Sequence, residues 1–157
     1  MDKDHLFMQK AIAIAKNAEA VGEVPIAAII TKGDKIIATG YNRRELDGDP
    51  TAHAEIVALR NAAKVIGDWR LEGCSIYVTV EPCVMCAGAL WLSRIERCVF
   101  GCTEPRAGFL GSVGNISEIE QLNHHFEIRG GVLADECATI LRTFFRRIRH
   151  AKKEKKG

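Results

Sequence analysis

Several features that would point to a membrane, secreted or multidomain protein are missing from this sequence. No apolar run approaches the roughly 20 residues that a helix needs to cross a bilayer. The charged start Met1–His5 lacks the apolar stretch of a secretory signal. No repeat or linker interrupts the chain, and 157 residues with 47% hydrophobic content suit one core. We therefore expect a cytoplasmic protein with a single folded domain and no membrane partner.

Disulfide bonds are not expected either. In a reducing compartment the six cysteines are thiols or metal ligands rather than a disulfide framework. Cys83 and Cys86 have the Cys-x-x-Cys spacing of a ligand pair. The other four lie in apolar or mixed segments and are predicted to be small buried hydrophobic residues: Cys74, Cys98, Cys102 and Cys137.

Basic charge is concentrated at the C-terminal end of the chain. Residues 142–157 contain eight basic side chains and one acidic side chain, whereas the other 141 residues contain 14 basic and 19 acidic side chains. This asymmetry is typical of a protein that binds a polyanion, although a solvated, solubilising tail has the same composition. We predict one folded domain over 1–150 and a basic tail over 151–157.

The hydrophobic pattern predicts an α/β protein. Apolar residues at helical spacing predict helices over 4–21, 52–67, 82–93 and 134–150. Runs of β-branched residues between turns predict strands over 24–31, 35–42, 75–80, 97–101 and 125–129. The first two strands should form an antiparallel hairpin, and strands joined through helices should run parallel. This order predicts one mixed sheet with helices on both faces.

The strongest chemical signal is the triplet His53–Glu55 followed by the pentapeptide Pro82–Cys86. One imidazole and two thiolates make three ligands, and a catalytic zinc site keeps three protein ligands and leaves one position for water. The pattern H-x-E followed by P-C-x-x-C is the known signature of zinc-dependent deaminases. We predict one Zn²⁺ per subunit, held by His53, Cys83 and Cys86, with Glu55 as the catalytic proton carrier.

Both halves of this motif require a helix start. The two cysteines share one helix face in the first turn, with Pro82 at the first helical position, where the helix dipole favours thiolate. His53 and Glu55 are about 200° apart around an ideal helix, so they converge only at a helix N-terminus. The Asp-Pro-Thr segment at 49–51 is predicted to cap that helix.

The chain resembles the bacterial tRNA-specific adenosine deaminases, which belong to the cytidine deaminase-like superfamily. The zinc motif marks the wider superfamily, whereas the C-terminal segments are particular to the tRNA branch. Segments that carry the resemblance extend along nearly the whole chain: 23–25, 41–43, 50–56, 81–89, 111–112, 131–137 and 144–146. The resemblance implies a three-layer α/β/α sandwich with a central mixed five-stranded sheet, and a homodimer.

The resemblance also implies a reaction. The wobble adenosine of a tRNA anticodon stem-loop would become inosine through zinc-hydroxide attack at C6, with Glu55 as proton shuttle. Phe144 is expected in the core, which leaves Phe145 for the RNA. The implied substrate-binding residues are Asn42, Ala54, Pro25, Ile26, Val80, Glu104, Arg106, Phe145 and Arg149. Glu104 and Arg106 stand where the family usually has Asp and Lys, so the reach of both side chains differs.

Other interpretations fit parts of the sequence. A deaminase of a free base or nucleoside, such as guanine or cytosine, uses the same zinc and Glu55 but needs no basic, aromatic C-terminal helix. A non-catalytic, zinc-stabilised RNA-binding module explains the cysteines and the basic end, yet it leaves Glu55 without a role. Asn42 at a strand end also suits a turn cap, and Pro25, Ile26 and Val80 also suit ordinary sheet packing.

Overall fold

A mixed five-stranded sheet lies at the centre of the computed structural model, which describes residues 2–156. In chain order the elements are α1 (Lys3–Ala20), β1 (Ala27–Lys32), β2 (Lys35–Tyr41), α2 (Arg44–Asp47), α3 (Ala54–Ile66), β3 (Cys74–Val80), α4 (Val84–Leu92), β4 (Arg97–Cys102), a 3₁₀ turn (Ile116–Glu118), β5 (Glu127–Arg129) and α5 (Ala134–Lys156). The short helix α2 and the 3₁₀ turn were not predicted from the sequence.

The sheet has the spatial order β2-β1-β3-β4-β5. β1 is antiparallel to β2 and to β3, while β3, β4 and β5 are parallel to one another. The predicted hairpin and the parallel strands are therefore confirmed. Because parallel strands end at the same edge of a sheet, the segments that follow β3 and β4 meet at one edge.

Helices cover both faces of the sheet, which confirms the three-layer sandwich. On one face α1 and α5 contribute Met8, Ile12 and Cys137, which pack with Ile29 and Val99 of the sheet. Burial in this layer raises the pKa of the Cys137 thiol to about 12. The four cysteines outside the Cys-x-x-Cys pair are buried free thiols, as predicted: Cys74, Cys98, Cys102 and Cys137.

The other face is covered by α3 and α4, whose small side chains allow close approach to the sheet. Ala58 and Ala62 of α3 and Ala87 of α4 are fully buried there. Gly40 in β2 is required at this contact, since a Cβ at that position would lie 2.6 Å from the Ala58 nitrogen. This close packing fixes where α3 begins, and with it the position of His53.

The start of β1 and the end of α5 differ from the prediction. β1 begins at Ala27 rather than at residue 24, because the Ile26 N–H bonds the Val24 carbonyl at 2.8 Å and the chain turns before it enters the sheet. α5 continues through 151–156 to Lys156 instead of ending at 150. Lysine, arginine and glutamate are good helix formers, so the basic segment extends the helix.

Two predicted helix caps are also wrong. α4 begins at Val84, so Pro82 precedes the helix rather than occupying its first position. Asp49 does not cap α3: its Oδ1 accepts hydrogen bonds from the N–H and the hydroxyl of Thr51, at 2.8 and 2.7 Å, which closes a local turn. Among residues 2–156, no helix combines the length and apolar content needed to cross a membrane.

Candidate active site

The three predicted metal ligands meet at two facing helix starts. His53 is the N-cap of α3 and Cys83 is the N-cap of α4, both with extended backbone (φ −70°, ψ 155° and φ −72°, ψ 177°). Neither side chain bonds the N–H groups of its own helix, which leaves the ligand atoms free. Helical geometry begins only at Ala54, so His53 and Glu55 are not held about 200° apart as they would be within a helix. Both side chains line the same cavity.

The ligand distances suit a single zinc ion. His53 Nδ1 lies 3.5 Å from Cys86 Sγ and 3.7 Å from Cys83 Sγ. Tetrahedral zinc, with about 2.1 Å to nitrogen and about 2.3 Å to sulfur, places such ligand atoms about 3.6 Å apart. In the described part of the chain, no other group of three His, Cys, Asp or Glu side chains converges in this way. The predicted ligand set is therefore brought together.

The surroundings of the centre favour a thiolate at Cys83 and a protonatable carboxyl at Glu55. Hydrogen bonding to Cys86 and to the His53 ring lowers the pKa of the Cys83 thiol to about 4. Hydrogen bonding to Cys83 raises the pKa of His53. Glu55 is buried, and burial raises the pKa of its carboxyl. Both helix dipoles point their positive ends at this centre, which favours thiolate. Against this, hydrogen bonding to Cys83 and burial raise the pKa of the Cys86 thiol, so its proton must be lost when a metal binds.

A cavity of about 500 Å³, here called the inner cavity, lies beside the ligands. This volume is within the range of small-molecule sites. The Asn42 side-chain oxygen accepts a bond from the Arg44 N–H at 3.4 Å, so the predicted turn role is real as well. Pro25 is buried but does not line the inner cavity. The predicted residues that do line it are Ile26, Asn42, His53, Ala54, Glu55, Val80, Cys83, Glu104 and Phe145.

A second depression of about 790 Å³, the outer groove, adjoins the inner cavity. Glu104, Phe145 and Ile148 line both, so they form the boundary between them. Phe145 is 43% exposed, whereas Phe144 is buried as predicted. The basic side chains that line the outer groove come from the loop after β4 and from α5: Arg106, Arg142, Arg146, Arg149 and Lys152.

Sequence reasoning missed two buried carboxylates at the rim of the inner cavity. Glu23 is fully buried and accepts hydrogen bonds from the N–H groups of Glu45 and Leu46, at 3.2 and 2.7 Å, which fixes α2 beside the cavity. Glu81 is buried before the ligand pair and binds the loop after β4. Both residues lie in segments that carry the family resemblance, but the residues themselves show only an isolated acid at the edge of an apolar run, which is too common to reveal a role.

Comparison with known proteins agrees with this chemistry. Residues 1–102 match the family model of the cytidine and deoxycytidylate deaminase zinc-binding region. The tRNA-specific adenosine deaminase of Bacillus subtilis (strain 168) is 47% identical over 153 residues, covering 98% of this chain and 95% of that protein. The tRNA-specific adenosine deaminase of Haemophilus influenzae is 46% identical over 155 residues, covering 98% of this chain and 90% of that protein.

Solved structures share the fold. One from work on A-to-I editing by tRNA:A34 deaminases at the wobble position of transfer RNA has a TM-score of 0.83 at 37% identity, covering 86% of this chain and 98% of that chain. A guanine deaminase of Bacillus subtilis has a TM-score of 0.60 at 37% identity, covering 62% of this chain and 63% of that chain. Since the two tRNA deaminases match nearly end to end, the chain belongs to the tRNA-specific adenosine deaminase family.

Proposed function

We propose that this protein converts the wobble adenosine of a tRNA anticodon to inosine by hydrolytic deamination. The observation that carries the proposal is the continuity of two sites: the inner cavity with its metal ligands and Glu55 adjoins the cation-lined outer groove at Phe145. A base must leave its stack to reach a buried catalytic group, so the inner cavity suits the flipped adenosine. The neighbouring phosphates then suit the outer groove.

His53, Cys83 and Cys86 hold one Zn²⁺ per subunit, which supplies the Lewis acidity that makes water nucleophilic near neutral pH. Glu55 accepts a proton from the attacking water and delivers it to N1 of adenine as C6 becomes tetrahedral. It then takes the second proton of that water from the new C6 hydroxyl and passes it to the amino group, so that the C6 carbonyl forms as the C6–N bond breaks and ammonia leaves. The balance is adenosine and water to inosine and ammonia. The raised pKa of Glu55 supports this role, because the residue must hold a proton in mid-reaction.

The other lining residues have roles in binding the base. Ile26 and Val80 offer apolar surface to the flat faces of adenine, and the Ala54 backbone at the start of α3 reads its edge. Asn42 is 4% exposed and lines the inner cavity, where its side-chain amide bonds the target nucleotide. Pro25 acts indirectly, as a buried support for Ile26.

The outer groove distinguishes an RNA substrate from a free base. Phe145 offers a surface on which a neighbouring base stacks, and the exposed Arg106 and Arg149 meet phosphates. Glu104 stands at the boundary, where a nucleotide passes from one cavity to the other. The exposed lysines Lys152, Lys153 and Lys155 extend the basic surface of α5 past residue 150. A free purine needs none of these groups.

We also propose that the protein acts in the cytoplasm as a homodimer. An apolar cleft of about 280 Å³ lies between α3 and α4, with Trp69 and Leu92 at its rim, 53% and 58% exposed. Exposed apolar surface of this kind marks interfaces between subunits. Light scattering after size exclusion should give twice the 17.3 kDa chain mass, and the Trp69→Glu variant should give the chain mass. A wild-type monomer at micromolar concentration would contradict the dimer.

The function is tested with zinc-loaded protein and four substrates: a tRNA whose anticodon begins with A, adenosine, guanine and cytidine. Inosine should form at the wobble position of the tRNA and at no other adenosine of that tRNA. The matched control is Glu55→Gln, which keeps the size of the side chain and should bind zinc without forming inosine.

Other outcomes choose between the alternatives. Product from free guanine or cytidine and none from tRNA would make the protein a base or nucleoside deaminase. This alternative is worth testing because a guanine deaminase has a similar fold. If the protein binds zinc and tRNA but forms no product from any substrate, it is a non-catalytic RNA-binding module.

A further inference from the structure

Glu81 is a buried carboxylate that the proposed reaction does not use. Its side chain is 3% exposed and lies at the end of β3, two residues before the ligand Cys83. Oε1 accepts hydrogen bonds from the Glu104 N–H and the Ser112 hydroxyl, and Oε2 accepts from the N–H groups of Leu110 and Ser112, all three N–H bonds being 3.0 Å long. A carboxylate has about four such acceptor positions, so all of them are occupied by this loop.

The loop over 104–112 is shaped around this carboxylate. Gly108 is required, because a Cβ there would lie 2.3 Å from the carboxyl carbon of Glu81. Gly108 also pairs with Cys83 in an isolated antiparallel bridge, and the Phe109 N–H bonds the Pro82 carbonyl at 2.9 Å. One face of the loop is thus attached to the segment that carries a metal ligand, and its first residues border both cavities.

The four hydrogen bonds hold the loop to a single buried side chain. Leaving any of these buried polar groups without its partner costs free energy, so the loop and the carboxylate stabilise each other.

We infer that Glu81 is a positioning residue, which holds the 104–112 loop beside the metal centre so that Glu104 and Arg106 meet the RNA next to the flipped base. The inference rests on the proposed function for the RNA, while the anchoring of the loop stands on the contacts of Glu81 alone. Glu81 touches neither the metal ligands nor the reacting base in this assignment, and it acts through Glu104 and Arg106.

Glu81→Gln is a sharp test because the amide can satisfy only part of this network. An amide nitrogen at the Oε2 position would face two N–H donors, from Leu110 and Ser112. At the Oε1 position it faces one N–H donor, from Glu104, and a hydroxyl that can rotate to accept. Glutamine therefore adopts the second arrangement and leaves the Glu104 N–H without an acceptor, which releases the start of the loop.

The experiment compares the full-length zinc protein with Glu81→Gln and with Glu118→Gln, which removes an exposed carboxylate from the following 3₁₀ turn. Five quantities are measured: zinc content, amide hydrogen exchange over 104–112, affinity for an anticodon stem-loop, and kcat and KM for its deamination. Both substitutions are repeated in an Arg106→Ala background. Changes in groups that support a functional site commonly cost about 10- to 100-fold.

We expect Glu81→Gln to keep its zinc, to speed exchange at Glu104, and to weaken RNA affinity and raise KM at least about tenfold with kcat changed less. In the Arg106→Ala background the effect on KM should shrink, because residues acting through one contact are not additive. Unchanged exchange, loss of zinc, or an equal effect on KM in both backgrounds would overturn the inference. If the wild type deaminates no RNA, the proposed function fails. Amide hydrogen exchange and RNA affinity then still show whether Glu81 positions the 104–112 loop.

Discussion

Asp4 offers a quantitative test of the forces that hold α1 to the sheet. Its side chain is 8% exposed and accepts hydrogen bonds from Arg97 at 2.7 and 2.8 Å, from Arg129 at 2.6 Å and from the Tyr77 hydroxyl at 3.1 Å. One carboxylate in the first turn of α1 thus joins the helix to β3, β4 and β5. We expect its ionisation to contribute measurably to folding.

The magnitude follows from the pKa of Asp4. Hydrogen bonds from Arg97 lower it from 3.8 to about 2 in the folded protein. At about 1.4 kcal/mol per pKa unit, this difference stabilises the folded state by about 2 kcal/mol at pH 7. The folded pKa lies below the unfolded one, so the stabilisation is present above pH 4 and is lost as the pH falls towards 2. About half of it should remain at pH 3.

The assay is urea unfolding of the wild type and of Asp4→Asn at pH 7, 5, 4 and 3. At pH 7 the substitution should lower the free energy of unfolding by about 2 to 4 kcal/mol, because it also leaves the largely buried Arg97 with only the exposed Glu127 as a counter-charge. The matched control is Asp34→Asn, which breaks an exposed ion pair between Lys3 of α1 and the β1–β2 turn, with 68% and 70% of the side chains exposed. Exposed pairs contribute about 1 kcal/mol at most.

The free energies of unfolding of the wild type and Asp4→Asn are compared with each other at each pH, so zinc release in acid affects both proteins alike. The difference between the wild type and Asp4→Asn should narrow between pH 4 and pH 3. A difference that stays constant down to pH 3, or one at pH 7 no larger than that of Asp34→Asn, would show that the ionised Asp4 does not stabilise the fold.

The remaining predictions concern the site. Glu55→Gln should retain one zinc per chain in elemental analysis while single-turnover deamination slows by about 10²- to 10⁴-fold, and loss of zinc would contradict a purely catalytic role. Cys86→Ser should lower the zinc content at a fixed free zinc concentration, with Cys98→Ser, in the core, as the control that keeps it. Arg149→Ala should weaken binding of the anticodon stem-loop and reduce the slope of log affinity against log salt by about 1, and an unchanged slope would place the RNA elsewhere.

The sequence was most informative about the metal centre, because its signal is local. His53 with Glu55, and Cys83 with Cys86, are separated by two and three residues, so ligand type and spacing reveal the site without knowledge of the fold. Residue type also marked Phe145 and the arginines of α5 as candidates for RNA contact. The predicted start of α4 was wrong because a proline suits both the position before a helix and its first turn.

Other parts of the site depend on partners distant in the sequence. Glu23 bonds backbone groups 22 and 23 residues away, and Glu81 bonds groups 23 to 31 residues away. Every residue except proline carries a backbone N–H, so the donors have no signature in the sequence. Pro25 was predicted to contact the substrate, but only its neighbour Ile26 lines the inner cavity, because the fold decides which of two adjacent side chains faces it.

The class of chemistry is therefore predictable from the sequence without the fold: three candidate zinc ligands, a carboxylate beside them, and a basic, aromatic end. This is possible because these properties belong to side-chain types at short spacing. Packing of the fold is what makes His53 and Cys83 the extended caps of two facing helices, which lets the ligands converge. Only the fold, likewise, joins the inner cavity to the outer groove at Phe145, because helix α5 and the loop after β4 meet through packing against the sheet.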